Sequence, residues 1–319
     1  MPEQLYIGID IGGTNLRFAL VDSQGQILKR SRTISGIEEG RAAFCTRLLD
    51  GITELCSLAK SSGAAIAGIG AGVPGLIGSD GFIHSSVNMR PLDGLNLATF
   101  IKEQTGITSV CGNDANLIAL GEKRYGAGKR FSTCMVLTIG TGLGSGLILD
   151  DRLWTGSGGY AAEFGHVTVD PEGIPCSCGN RGCLEQYVSA AALVRYAREL
   201  LPQDLLASQE GKEDGKMIAC LARQGEAGAL AAFERMGSWL GIAIASLVNI
   251  LNLEAVIIGG GVNNAFEFFS SALTTEIGKR SFPQIASGCE IIKAELGDDA
   301  GLLGAAANAI NQCKRLAIF

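Results

Sequence analysis

No run of lysine or arginine longer than a pair such as Lys129-Arg130 occurs in these 319 residues, and the formal net charge is −6. A chain without a basic stripe has little to neutralise a nucleic-acid backbone, so nucleic acid is not an expected partner. The start, Met1-Pro2-Glu3-Gln4 leading into Tyr6-Ile7-Gly8-Ile9, lacks both the cationic head and the cleavage site of a secretory signal. A cytoplasmic location is expected. An uninterrupted hydrophobic run is also missing. The longest, 240–258, is broken by Asn249, Asn252 and Glu254, which hydrocarbon would not accept without partners. It reads as a buried helix followed by a strand, and no membrane partner is expected. Histidine is scarce, with two residues. Of ten cysteines, Cys45, Cys56, Cys111, Cys134, Cys220, Cys289 and Cys313 stand singly, mostly among apolar neighbours where a thiol acts as a small hydrophobe. Only Cys176, Cys178 and Cys183 cluster.

What remains is a chain long enough for two lobes, 47% hydrophobic and 18% charged, with 45 glycines spread among its segments. Alternating strand and helix periodicities predict an α/β protein. Strands are expected at 6–12, 16–22 and 25–34, a helix at 39–61, a strand at 65–71 ending at Pro74-Gly75, a helix at 96–105 and a strand at 107–111. A second cycle follows, with a helix at 115–125 and strands at 136–140 and 146–150. Helices at 187–201 and 216–251, joined by a polar connector at 209–215, precede a strand at 255–258. A helix at 264–278, a strand at 289–295 and a helix from Asp299, capped by Asp298, complete the pattern.

Residues 10–22 laid over 138–150 match in Ile, Gly, the apolar strand after the turn and the closing Asp. The repeat predicts two related lobes facing each other, 1–113 and 114–303, with helix 304–319 packing back on the first. In each repeat a strand enters a Gly-rich turn, Asp10-Ile11-Gly12-Gly13-Thr14-Asn15 and Gly140-Thr141-Gly142-Leu143-Gly144. Glycines admit close approach of backbone N–H groups to phosphate oxygens, through the missing Cβ and access to positive φ, and Thr14 and Thr141 can add hydroxyl bonds. A single such turn is equally an ordinary tight hairpin. Two matching turns favour phosphate. Gly70-Ala71-Gly72-Val73-Pro74-Gly75 fits a dinucleotide fingerprint by spacing, but Pro74 stands where its helix should open. Gly126-Ala127-Gly128-Lys129 lacks the earlier Gly and following Ser/Thr of a P-loop.

Asp10-Ile-Gly-Gly-Thr-Asn15, Asn113-Asp114, Glu163-Phe-Gly-His166 and Cys176-Ser-Cys-Gly-Asn-Arg-Gly-Cys183-Leu-Glu185 together resemble the ROK family of repressors and sugar kinases, from about Tyr6 to Ala306. The resemblance implies a two-lobed actin-like ATPase (ribonuclease H-like) fold with a nucleotide cleft between the lobes and a zinc loop at 163–185. His166, Cys176, Cys178 and Cys183 read H-x9-C-x-C-x4-C, four N/S ligands that suit a closed, structural tetrahedral Zn2+. A redox pair is the alternative, but C-x-C is not the thioredoxin spacing. One ring nitrogen of His166 would take the metal and the other a sugar hydroxyl.

Asp114 follows a strand and precedes a helix, where an aspartate ordinarily serves as an N-cap. The resemblance instead makes it the general base for the C6 hydroxyl of a hexose. Asn113, Glu163, His166 and Glu185 would hold the other hydroxyls, since carboxylates and imidazole read a polyol through paired donors and acceptors. Glu163 and Glu185 have a plainer reading as solvated charges. ATP would lie on the two turns, with Asp10 an outer-shell partner of Mg2+. Gly259, Gly260 and Gly261 would lie against adenine, or simply join a strand to a helix.

Hexose phosphorylation, with glucose first, is therefore expected, and N-acetylglucosamine, N-acetylmannosamine and fructose are the alternative substrates. The short His-to-Cys spacing resembles the ROK glucokinases. The segment Val87-Asn88-Met89-Arg90-Pro91 departs from the family's usual pattern near the sugar. A ROK repressor would carry a winged helix ahead of the first turn, where this sequence has Met1 to Leu5. A chaperone-type ATPase would have no reason to keep the zinc loop. A homodimer follows from family habit.

Overall fold

The computed structural model describes residues 4–86, 89–203, 205 and 214–316. Val87 and Asn88 of the departing loop, most of the 209–215 connector and the last three residues of 304–319 lie outside them. The chain forms two compact units. Unit 1 comprises Met1–Ser132, Gly146–Ala162 and Glu295–Phe319, and unit 2 comprises Thr133–Ser145 and Glu163–Ala294.

Unit 1 is organised by strict alternation along its strands. Strands β1 (Gln4–Ile11), β2 (Asn15–Val21), β3 (Ile27–Ile34), β4 (Ala65–Val73), and, past the short hairpin β5 (Leu76–Ile77) and β6 (Ile83–Ser85), β7 (Ser109–Asn113) build a sheet in the order β3-β2-β1-β4-β7. The β1–β2–β3 meander is antiparallel, while β4 and β7 run parallel to β1. Leu5, Ile7, Ile9 and Ile11 of β1 and Ile69, Ala71 and Val73 of β4 point into one core. Helix α1 (Arg41–Ser61) meets them with Phe44, Leu48, Ile52, Leu55 and Ala59, spaced three and four residues apart as a single helical stripe requires. Helix α2 (Leu97–Thr105) adds Leu97 and Ile101, and its N-cap Asn96 accepts the Thr99 N–H at 2.9 Å.

The opposite face carries Gly8, Gly68, Gly70 and Gly72, and glycine there leaves room for backbone. The last helix described in unit 1, α9 (Ala300–Leu316), lies so close that a Cβ on Gly8 would sit 2.0 Å from the Leu302 carbonyl oxygen, and one on Gly70 1.8 Å from that of Ala305. Helix α3 (Asp114–Tyr125) packs beside α9 in the same way: a Cβ on Gly304 would stand 1.7 Å from the Leu117 carbonyl oxygen. The dinucleotide-like glycines of β4 are thus the surface beneath a helix. Gly304→Ala must push two helices apart, and overpacking of this kind costs about 1–3 kcal/mol. Urea titration should show the midpoint falling with an unchanged m-value.

In unit 2, β8 (Cys134–Ile139) pairs in parallel with β11 (Ala255–Gly259), and β11 with β12 (Glu290–Lys293). Strand β9 (Leu143–Leu149) begins in unit 2 and ends in unit 1, where Asp150 and Asp151, both at positive φ, turn it into β10 (Arg152–Trp154). Two left-handed residues in a two-residue loop are what a type I′ hairpin needs. Helix α4 (Ala190–Leu200) is capped by Ser189, and α5 (Gly215–Arg223) by Asp214. The long α6 (Ala227–Leu251) buries Phe233, Met236, Leu240, Ile244 and Val248. It approaches α7 (Phe266–Arg280) through Gly237 and Gly241, where a Cβ would meet the Phe269 and Leu273 carbonyl oxygens at 2.4 Å each. The short α8 (Pro283–Gly288) follows.

Several sequence expectations need correction. The single helix at 216–251 is two, because Gly225 turns left-handed (φ 83°) and Glu226 caps a new start. The helix expected at 187–201 begins three residues later, at Ala190 after the Ser189 cap, and a separate 3-10 turn at Leu184–Gln186 precedes it. Asp298 lies inside a 3-10 turn, Gly297–Asp299, that runs into α9, and does not cap it. Among the described residues no helix is long and apolar enough to cross a membrane.

Candidate active site

The first Gly-rich turn joins β1 to β2, closed by the Gly12 N–H donating to the Asn15 carbonyl at 2.9 Å. The Ser35 N–H donates to the Thr14 carbonyl and its hydroxyl to that of Gly13, pinning the turn to the end of β3. Gly13 and Thr14 are exposed. The Asn15 side-chain oxygen accepts from Arg32 Nε at 3.0 Å. Asp10 is ion-paired with Arg17, its register partner on β2, and Arg17 also donates to the Asp298 carbonyl at 3.0 Å. A cation approaching Asp10 therefore competes with a guanidinium already in place.

In the second turn the Gly140 N–H donates to the Gly142 carbonyl at 2.9 Å, and the Leu143 N–H donates to Oε2 of Glu185 at the same distance. A Cβ on Gly142 would stand 2.5 Å from that Oε2. Neither turn uses positive φ: Gly12, Gly13, Gly140, Gly142 and Gly144 all stay outside the left-handed region. The expectation of left-handed glycines there is thus corrected. Gly142 earns its place through the missing Cβ, which lets the Glu185 carboxylate reach the backbone. Gly142→Ala should push the Glu185 carboxylate off the Leu143 N–H, and differential denaturation should show the loss of that charge-assisted hydrogen bond, about 1.5–3 kcal/mol.

The turn and the cysteine loop are further stitched together within unit 2. The Phe164 N–H donates to the buried Ser145 hydroxyl at 3.1 Å, and the Ala190 N–H to the Gly140 carbonyl at 2.8 Å. His166 closes a 3-10 turn, Phe164–His166, and Cys183 immediately precedes the turn that carries Glu185. Asp170-Pro171-Glu172-Gly173 forms a tight turn, the Gly173 N–H donating to the Asp170 carbonyl at 2.9 Å. Tyr187 bridges this turn, its hydroxyl donating to Asp170 Oδ2 at 3.0 Å and accepting from the Ile174 N–H at 3.1 Å. Gly182 is obligatory: φ is 65°, and a Cβ would lie 1.6 Å from the Asp170 carbonyl oxygen.

This loop brings the ligand atoms of His166, Cys176, Cys178 and Cys183 within 4.8 Å of one another. Nδ1 of His166 faces Cys176 Sγ at 3.7 Å, and the Cys178 and Cys183 sulfurs are 3.6 Å apart. Gln186 Nε2 approaches Cys176 Sγ at 3.6 Å. Burial pushes the Cys176 thiol up, but hydrogen bonds from the Cys178 backbone and side chain, His166 and Cys183 outweigh it and bring it down to about 7. Burial, followed by Cys178 and Cys176, pushes Cys183 up to about 12. One nitrogen and three sulfurs at this separation are a donor set that fits tetrahedral Zn2+ without further ligands.

Glu163, next to Phe164, stands at the start of the same loop and is exposed. Partial desolvation by surrounding protein raises its carboxyl above the ordinary 4.5, Glu185 adds to the rise, and His166 opposes it. Asn113 and Asp114 belong to unit 1 at the junction of β7 and α3. The cap falls to Asn113, whose Oδ1 accepts the Asn116 N–H at 3.0 Å while its Nδ2 donates to the Gly75 carbonyl at 3.1 Å. Asp114 is the first helical residue and accepts the Ala115 N–H at 2.9 Å. The ordinary N-cap reading of Asp114 is therefore excluded.

Gly259 ends β11, and Gly260 is left-handed (φ 82°) where a Cβ would strike Ile139 backbone atoms at 2.4–2.8 Å. Gly261 opens a 3-10 turn and its Cβ direction is open. Ser145, Gln186, Tyr187 and Asp170 were not singled out from sequence, and of these only the Asp-Pro-Glu-Gly turn signature was there to be read.

The model of the ROK family matches residues 6–312. A glucokinase of Thermotoga maritima is 37% identical, covering 96% of this chain and 97% of that one. A glucokinase of Halalkalibacterium halodurans is 35% identical over 95% and 94%. A crystal structure of a ROK family glucokinase from Streptomyces griseus in complex with glucose and AMPPNP superposes with a TM-score of 0.77 at 33% identity, over 96% and 99%. Matched in motif, length and architecture, this chain belongs to the ROK family and has its two-lobed, actin-like α/β fold.

Proposed function

We propose that the chain transfers the γ-phosphoryl group of ATP to the C6 hydroxyl of a hexose, glucose first. The observation that carries this reading is the end-to-end likeness to glucokinases, including one solved with glucose and AMPPNP. Phosphoryl transfer needs alignment and charge neutralisation more than covalent help, so the residues divide into those that hold and one that takes a proton. Asp114 accepts the hydroxyl proton. Glu163, Glu185, Asn113 and Nε2 of His166 hold the remaining hydroxyls, consistent with Nδ1 of His166 facing the sulfurs. The turns at Gly12–Asn15 and Gly140–Gly144 take the phosphates, and Gly261, open at its Cβ, leaves space for the base. Asp10, at the first turn and paired with Arg17, would be the outer-shell partner of a Mg2+ whose charge would offset that of the phosphates. His166, Cys176, Cys178 and Cys183 would hold a structural Zn2+ that ties the loop together. The reading extends to a cytoplasmic homodimer, supported by the habit of the family, which light scattering can check.

An ATP-coupled assay over glucose, mannose, fructose, N-acetylglucosamine and N-acetylmannosamine tests the substrate. Glucose should have the highest kcat/KM, and the absence of turnover with every hexose would overturn the reading. The raised carboxyl of Glu163 adds a pH prediction. A carboxyl held above its ordinary value takes its proton earlier as pH falls, and a protonated Glu163 accepts one hydrogen bond fewer from the sugar. The acidic limb of kcat/KM for glucose should therefore lie above the ordinary carboxylate range and move lower in Glu163→Gln.

A further inference from the structure

We propose that unit 1 carries a second ligand site, for a small phosphorylated sugar, in a cavity beside the outer edge of β7. The cavity measures about 280 Å3, just under the roughly 300 Å3 at which the usual range of ligand pockets begins. All of its lining belongs to unit 1, so the inference does not depend on the reading of the reaction. Its wall is rich in carboxamides: Asn116 from α3, and Asn308, Asn311 and Gln312 from α9. A carboxamide offers both donors and an acceptor, the pairing that sugar hydroxyls require; the Asn311 oxygen already accepts from Arg124 at 3.1 Å, which leaves its amide N–H groups as donors. Asn116 is 4% exposed, and its Oδ1 is a buried acceptor that meets no hydrogen bond among the described residues. Buried polar atoms are rarely left so, and one on a residue that lines a polar cavity calls for a ligand or water.

The charge at the mouth selects among polyols. Arg152 and Arg315 line the cavity and are exposed, while Asp151, the carboxylate of the lining, is bound by Lys123 at 2.6 Å. Two guanidinium groups without a competing acid suit a phosphate monoester, which they can grip in bidentate fashion. An amide floor with a basic rim thus fits a sugar carrying one phosphate better than a neutral sugar or bare phosphate. Asn113 contributes to the same wall while capping α3, so a bound molecule would be felt one residue from Asp114.

The test is isothermal titration of the full chain at saturating glucose, with glucose 6-phosphate and inorganic phosphate as separate probes. Glucose 6-phosphate should bind once per chain. Arg152→Ala combined with Arg315→Ala should weaken it at least tenfold while leaving the glucose kcat and KM at wild-type values, and both exposed side chains can be removed without loss of folding. Asn308→Leu should abolish binding by closing the wall. No binding to the wild-type chain, or binding that the arginine pair does not weaken, overturns the site. Inorganic phosphate binding as tightly as glucose 6-phosphate overturns its assignment to a sugar.

Discussion

The Asp114→Asn variant is expected to bind glucose and ATP with near-native affinity while kcat falls by roughly 10²–10⁴-fold, the usual contribution of a positioned general base. The substitution is nearly isosteric and keeps a side-chain oxygen for the Ala115 N–H, which Asp114 Oδ1 accepts at 2.9 Å. Helix α3 keeps its cap as well, because the capping oxygen belongs to Asn113. Folding stability should therefore hardly change, which separates this substitution from one that merely damages the helix start. A loss confined to kcat identifies an interaction made in the transition state. Near-native turnover in Asp114→Asn would remove the residue from the role of base.

Metal analysis of the purified chain should find about one zinc per molecule. Cys183→Ser should lose it, and the loop from Val167 to Gln186 should become the first site of proteolysis. The size of the effect follows from what the ion replaces. The loop is held by a few turns, two isolated bridges and the Asp170–Tyr187 contact, with little regular structure. Structural zinc binding of ~10–16 kcal/mol in small peptides far exceeds those bonds. Because His166, Cys183 and Glu185 share the loop, loss of zinc should also raise the KM for glucose sharply, with recovery when a chelated sample is given Zn2+. A chain that is fully active and free of metal would defeat the assignment.

Much of this architecture was legible because it is written in periodicity. The strands of unit 1 and helix α1 follow from alternation and from a three-and-four stripe, and the gathering of His166, Cys176, Cys178 and Cys183 follows from a spacing that admits few other uses. Elements too short to display a period escaped: β5, β6, β10 and α8 each have six residues or fewer. The break before α6 rests on one glycine inside an otherwise continuous helical pattern, where propensity alone costs only ~1 kcal/mol. At the site, the local sequence did not say which residue caps α3, since Asn113 and Asp114 are both good caps and only the fold decides that Asn113 serves. The bond from Leu143 to Glu185 could not be foreseen either, because it joins residues 42 positions apart through a backbone N–H.

The glycines beneath α9, and those between α6 and α7, also bear on how this chain can change over generations. When two side chains collide, a second substitution can trim the partner and restore the fit. Here the atoms opposite Gly8, Gly70, Gly237, Gly241 and Gly304 are carbonyl oxygens, which every amino acid carries. No compensating replacement exists on the other side. These positions should therefore tolerate no drift in a library selected for folding, while the larger apolar residues of the α1 core exchange among themselves.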